Sequence, residues 1–212
     1  MAAGDTKLTI CSDALIMLGA NPLSSFSEGT DEAQVADRLY DDIRDTLLMS
    51  YQYSWTLKKV QLARSVDEPQ NEWKYIYPLP GDMLGNPMAV FETSAVGAMT
   101  RRDFEIYSAG LYTNLETVWV DYQFRPEPSA FPPYFVNLLK HALAAAFAEP
   151  ITDQITKGDY YHRLAYGVLS ENMRGGLMRV SMNIDGRDRP PQNIQEFPLT
   201  DIRGEPDHSN PE

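Results

Sequence analysis

The sequence predicts an α+β fold, and three observations carry that reading. Apolar residues recur at helical spacing up to about residue 52 and again from about residue 129. Between these stretches the pattern changes to strand-like alternation. That middle block contains the string Trp73-Lys74-Tyr75-Ile76-Tyr77-Pro78-Leu79-Pro80-Gly81-Asp82-Met83-Leu84, in which aromatic residues run directly into turn residues. Two helices before a sheet and two after it imply a four-helix bundle formed by both chain ends, with an antiparallel β-sheet or sandwich inserted as a protrusion and an extended C-terminal tail. The expected units are residues 1–52 and 129–182 for the bundle, 53–128 for the inserted β domain and 183–212 for the tail.

Asp5 or Thr6 can cap a first helix on which Leu8, Cys11, Ala14, Leu15 and Leu18 form one face, and Gly19-Ala20-Asn21-Pro22 stops it. Thr30 or Asp31 opens a second helix with the stripe Val35, Ala36, Leu39, Tyr40, Ile43, Leu47 and Tyr51. Asp37, Asp41, Asp42 and Asp45 face away from that stripe, and the plainer reading of them is a solvated face, since calcium-loop spacing is absent. Strands are expected around Trp55 to Leu62, at Tyr75 and Tyr77, and over Met88–Glu92, Phe104–Tyr107 and Thr117–Phe124, with glycines and Asn86-Pro87 between them. Phe131-Pro132-Pro133 leads into a third helix carrying Phe135, Leu138, Leu139, Ala142, Leu143, Ala146 and Phe147, which Pro150 is expected to end. A fourth helix begins near Thr152 or Asp153 and bears Ile155, Tyr161, Leu164, Ala165, Val168 and Leu169 before Gly175-Gly176 weaken it.

A chain of 212 residues, 43% hydrophobic, can bury about 70% of its unfolded surface in one or two domains. One cysteine, Cys11, excludes an intramolecular disulfide and a cysteine-rich zinc site, and matches a reducing cytoplasm. No run of about 18 apolar residues and no basic-then-apolar N-terminus is present, so neither a membrane span nor a signal peptide is expected. A net charge of −12 opposes general affinity for nucleic acid, which depends on clustered Lys and Arg.

The chemistry-bearing residue types do not combine into a catalytic set. His141 and His162 stand near Glu149, Asp153 and Asp159, but without the His-Glu-x-x-His or Glu-x-x-His spacing of helical metal sites. A Gly-x-Ser-x-Gly elbow is lacking, and Gly175-Gly176 has neither the preceding strand nor the Lys-Ser/Thr ending of a phosphate loop. The rings of Tyr51, Tyr53, Trp55, Trp73, Tyr75 and Tyr77 are read first as packing, with a sugar- or base-stacking platform as the other reading. The chain therefore reads as a structural or interaction protein with no cofactor and not as an enzyme. Two alternatives stand beside that reading: a carbohydrate- or ligand-binding module on the aromatic sheet, and a metal-dependent hydrolase using His141 and His162.

Several strings occur in an order that resembles the tail tubular protein A family, the head-to-tail adaptors of short-tailed, T7-like bacteriophages. They are Leu18-Gly19-Ala20-Asn21-Pro22-Leu23, Glu32-Ala33, Tyr40 with Asp41-Asp42-Ile43-Arg44-Asp45 and Leu47-Leu48, Ser54-Trp55, Tyr77-Pro78-Leu79-Pro80-Gly81-Asp82-Met83 and Pro132-Pro133-Tyr134-Phe135-Val136-Asn137-Leu138-Leu139. The likeness covers most of residues 5–180 and stops short of the tail. It implies a virion protein of the tail or neck, made in the host cytoplasm. It also implies a homo-oligomeric ring, a dodecamer, that joins the portal protein to a tail nozzle protein and lets genome DNA pass without sequence-specific binding. Two site expectations follow. Asp41 and Asp45 are candidate channel-facing acids that would repel phosphates, and Phe197, Leu199 and Ile202 in the Pro-rich tail are candidate portal-docking anchors.

Overall fold

The computed structural model describes residues 5–67, 69–108 and 110–188, and within them the chain is α+β, with five helices and two small antiparallel three-stranded sheets. Helix α1 (Lys7–Leu18) starts at Thr6, whose hydroxyl accepts from the Thr9 amide while the Thr9 hydroxyl accepts from the Thr6 amide; it ends at Gly19 in the left-handed conformation. Helix α2 (Asp31–Ser50) is capped by Thr30. The loop between them is organised by Glu28, whose carboxylate accepts from the Ser24 and Thr30 hydroxyls and from the Ser24 and Ser25 amides. These bonds hold its pKa down at about 2.

Helix α3 (Pro133–Thr152) is the hub of the helical body. It is apolar over most of its circumference, and α1, α2, α4 (Ile155–Tyr166) and α5 (Gly176–Asp188) all pack against it or one another around it. Phe135, Leu138, Leu139, Leu143 and Phe147 are fully buried, and Ala142, Ala144 and Ala148 allow neighbouring backbones to approach. Pro150 does not terminate α3. It falls in the last turn, and the helix runs on to Thr152 before Asp153 takes the left-handed conformation. A proline there removes a single intrahelical bond near an end that was about to fray.

The C-terminal helical region departs further from expectation. Helix α4 stops at Tyr166 because Gly167 breaks it, so Val168 and Leu169 lie in a separate turn and not on the fourth helix. Gly176 then opens a fifth helix that sequence periodicity did not reveal, and residues 183–188, expected to be extended tail, are helical. Phe197, Leu199 and Ile202 lie outside the described residues.

The β block contains strands β1 (Leu57–Gln61), β2 (Tyr75–Pro78), β3 (Met83–Phe91), β4 (Phe104–Tyr107), β5 (Gly110–Thr113) and β6 (Trp119–Phe124). One sheet has the order β1-β6-β3 and the other β2-β5-β4. Side chains from both meet in one apolar cluster, with Tyr77 and Leu111 from the second sheet against Val90, Val120 and Tyr122 from the first. Strand β3 shifts register between Leu84 and Ala89, where Gly85 has φ +72° and Pro87 lacks an amide donor. The bulge lets Leu84 join the helical core while Val90 joins the sheet core. Strand β5 was unforeseen because its first residue, Gly110, reads as punctuation.

Candidate interaction surfaces

The helical body and the β block meet at a polar junction. Gln123, on β6, is buried, and its Nε2 donates to the carbonyls of Leu48 (2.6 Å) and Tyr51 (3.1 Å) at the end of α2, the latter also accepting from the Tyr53 amide (3.0 Å). On the far side Asp185 of α5, 1% exposed, accepts from the Ser54 amide (3.0 Å), the Ser54 hydroxyl (2.7 Å) and the Tyr134 hydroxyl (3.3 Å). It thereby caps the 3₁₀ turn Ser54–Thr56 that carries the chain from helix to strand. Tyr53 and Trp55 pack here against Phe131 and Phe135, and Tyr51 stands edge-on to Tyr53, with centroid separations of 5.0–5.7 Å.

The aromatic group expected from the sequence is therefore divided. Tyr51, Tyr53 and Trp55 belong to the helical core, and Tyr75 and Tyr77 point into the β core. Trp73 stands at the outer face of the second sheet, where Tyr107 and Tyr112 join it. The Glu105 carboxylate accepts from the Tyr107 hydroxyl and from the Trp73 indole (3.2 Å), and these bonds hold its pKa below the ordinary carboxylate value. Tyr107 and Tyr112 were not foreseen because their partnership requires β4 and β5 to be neighbours.

Asp41 and Asp45 lie in a continuous run of ion pairs. Lys7 bonds Asp37 (2.9 Å) and Asp41 (3.2 Å), Arg44 bonds Asp41 (2.7 Å) and Asp45 (2.8 Å), and Arg125 reaches Asp45 (2.7 Å). Three acids meet three bases, and the run ties α1 and α2 to the exit of β6. Burial opposes the charge on Lys7, but its bonds to Asp37 and Asp41 outweigh this and raise its pKa. Asp42 makes no ion pair among the described residues.

The two histidines do not converge. The His141 Nδ1 lies 2.8 Å from the Asn137 carbonyl, its ring standing edge-on to Tyr161, whereas His162 packs on Tyr166. Among the described residues no three of His, Cys, Asp and Glu are grouped to hold a metal ion. His162 instead borders a groove of about 280 Å³ between α3 and α4, floored by Ala142, Ala145 and Ala146 and edged by Glu149, Asp159 and Ile155.

Large apolar side chains stand exposed at several separate places. Val66 lies in the β1–β2 loop, and Val96 and Met99 in the β3–β4 loop. Val168, Leu169 and Met173 lie in the α4–α5 turn, and Ile155 at the start of α4. Comparison with protein-family models gives no match, and comparison with curated proteins gives none.

Proposed function

We propose that this chain is a structural adaptor of a phage tail or neck. Copies would form a ring, a dodecamer in the resembled family, between a portal protein and a nozzle protein, with DNA passing through the centre. The observation that carries the reading is the exposed apolar group Val168, Leu169 and Met173 held together in the α4–α5 turn of the helical body. A local grouping of exposed apolar side chains of that kind suits contact with another protein. In this reading the helices contributed by both chain ends are the bundle that neighbours pack against. Residues after Asn193, with Phe197, Leu199 and Ile202, reach the portal.

The lumen role of Asp41 and Asp45 is tempered by their ion pairs, which neutralise much of their field. Asp42, without such a pair among the described residues, is the stronger source of repulsion on that helix face. Mixing the pure chain with portal rings and imaging by electron microscopy tests the proposal: an added ring density is expected, and bare portals at saturating chain overturn it. A chain truncated after Asn193 should keep its fold and lose attachment.

The outer face of the second sheet favours one other reading. Trp73, Tyr107 and Tyr112 around the Glu105 carboxylate make a small stacking platform, the arrangement a sugar-binding module uses. A glycan array probed with the chain and with Trp73→Ala separates it from the adaptor reading.

A further inference from the structure

Helix α5 is seated on the body by a stripe that is mostly polar. Of its 13 residues the buried ones are Met178, Ser181 and Asp185, which share one face, whereas α3 buries Phe135, Leu138, Leu139, Leu143 and Phe147. The three buried residues of α5 all meet the segment that carries the chain from the helical body to the β block. The Tyr53 hydroxyl donates to the Met178 sulfur (3.7 Å) and accepts from the Ser181 hydroxyl (3.1 Å), and Asp185 accepts from the Ser54 amide and hydroxyl. Hydrogen bonds exchanged for bonds to water contribute modestly, and burying a carboxylate is costly, so this stripe holds its helix less firmly than an apolar face would. A helix of 13 residues with Gly186 in its last turn also has little helicity of its own once it leaves that seat.

The turn that precedes α5 is strained. Asn172 and Met173 take φ of 51° and 61°, a region that L side chains rarely adopt, and Gly176, the first residue of α5, has φ +49°. Glu171 accepts from the Val168 amide (3.1 Å) and pairs with Arg179 of α5 (2.9 Å), so the strained turn and the first turns of the helix are tied together. Lifting α5 off the body lets that backbone relax.

We propose that α5 is a releasable strap across the junction of the two units. It detaches while α1, α2, α3 and α4 stay folded, hinging at Gly175-Gly176, where two successive residues lack side chains. Seated, Asp185 caps the 3₁₀ turn Ser54–Thr56 and fixes the point at which the chain passes from helix to sheet. Released, it uncaps that turn and uncovers the Tyr53 ring, which is fully buried when the strap is closed. The β block then keeps its Gln123 and Asp45–Arg125 links but loses the cap opposite them, and so gains freedom to re-orient. The device is a property of a single chain and does not depend on the ring reading.

Hydrogen exchange on the full-length native chain tests it. The amides of residues 181–185 and the Ser54 amide should exchange together, on the order of tenfold or more faster than the amides at the centre of α3. Asp185→Ala should speed both by a further factor on the order of ten and leave α3 unchanged. Gly186→Ala works in the opposite direction: its methyl would meet the Tyr51 hydroxyl at 3.7 Å, an ordinary contact, and by favouring the helical conformation it should slow both roughly two- to fivefold, again without moving α3. Equal native rates in α5 and α3 overturn the strap. Shifts that both variants impose on α3 and α5 alike overturn it as well, because α5 then opens only when the whole body unfolds. Fast exchange in α5 with Ser54 protected to the level of α3 also overturns it, since release would leave the junction untouched.

Discussion

The helical body and the β block are stabilised on different scales. Among the described residues, the apolar cluster of the body contains 25 buried residues and that of the β block 7. The body surrounds one nearly all-apolar helix, and side-chain caps start α1 and α2. The β block divides its strands into two sheets of three and gives much of its length to loops with exposed tips. A core that small is marginal alone, so the block depends on the Gln123 and Asp45–Arg125 links to α2. The division suits a protein whose rigid part sets position and whose lighter part reaches for partners.

The largest expected effect tests whether the two regions unfold separately. Phe135→Ala removes a fully buried ring that touches Tyr53, Trp55 and Phe131 and should cost about 3–5 kcal/mol, opening the body. Cys11, whose thiol burial pushes up to about 12, should then react with a thiol reagent that leaves the native chain untouched. Leu111→Ala, costing about 2–4 kcal/mol in the β core, should change the fluorescence of Trp73 and Trp119 while Cys11 stays protected. If Cys11 becomes reactive in both variants, the two regions form one cooperative unit and the contrast fails.

A middle-sized effect belongs to the junction. Gln123→Leu leaves the buried Leu48 carbonyl without its side-chain donor and the Tyr51 carbonyl with the Tyr53 amide alone, and should cost about 1–3 kcal/mol, moving the urea transition of the β block further from that of the body. One sharp transition in this variant would move the coupling elsewhere, to Asp185 first.

The smallest effect is set by pH. The Lys58 ammonium (2.8 Å) holds the Asp82 carboxyl below its ordinary value; desolvation opposes this, and the Tyr122 hydroxyl (3.0 Å) adds to it. A depressed carboxylate contributes stability that is complete above the ordinary range near pH 4 and lost as pH falls through the folded value. Because both partners of the ion pair are substantially exposed, the contribution is at most about 1 kcal/mol. The urea midpoint of the β block should therefore drop between pH 5 and pH 3 in the native chain and by less in Asp82→Asn. Equal drops would mean that another acid carries the effect.

Much of this architecture was legible in the residues because local chemistry dictates it. Thr6, Gly19 and Thr30 bounded their helices as capping rules require, and Phe104–Tyr107 emerged as a strand with the expected limits. What was missed depends on distant partners. Helix α5 has a modest apolar face and a glycine at its start, so its helicity comes from packing on α3 and α4. Tyr107 and Tyr112 became a pair only through strand order. The ion pairs of Asp41 and Asp45 required Lys7 and Arg125, 34 and 80 residues away from them respectively. The α4–α5 turn did leave a trace, glycines at 167, 175 and 176 enclosing Val168, Leu169 and Met173, and such a spacing marks a shaped loop more than a weakened helix.

The place of α3 in the chain has a consequence for biosynthesis. Its hub residues leave the ribosome only after α1, α2 and the whole β block have been made, so the first two helices must wait with their oily sides uncovered. On a translating ribosome stalled near residue 130, Cys11 should still be open to reagent, and it should close only in stalled chains long enough for the whole of α3 to have left the exit tunnel.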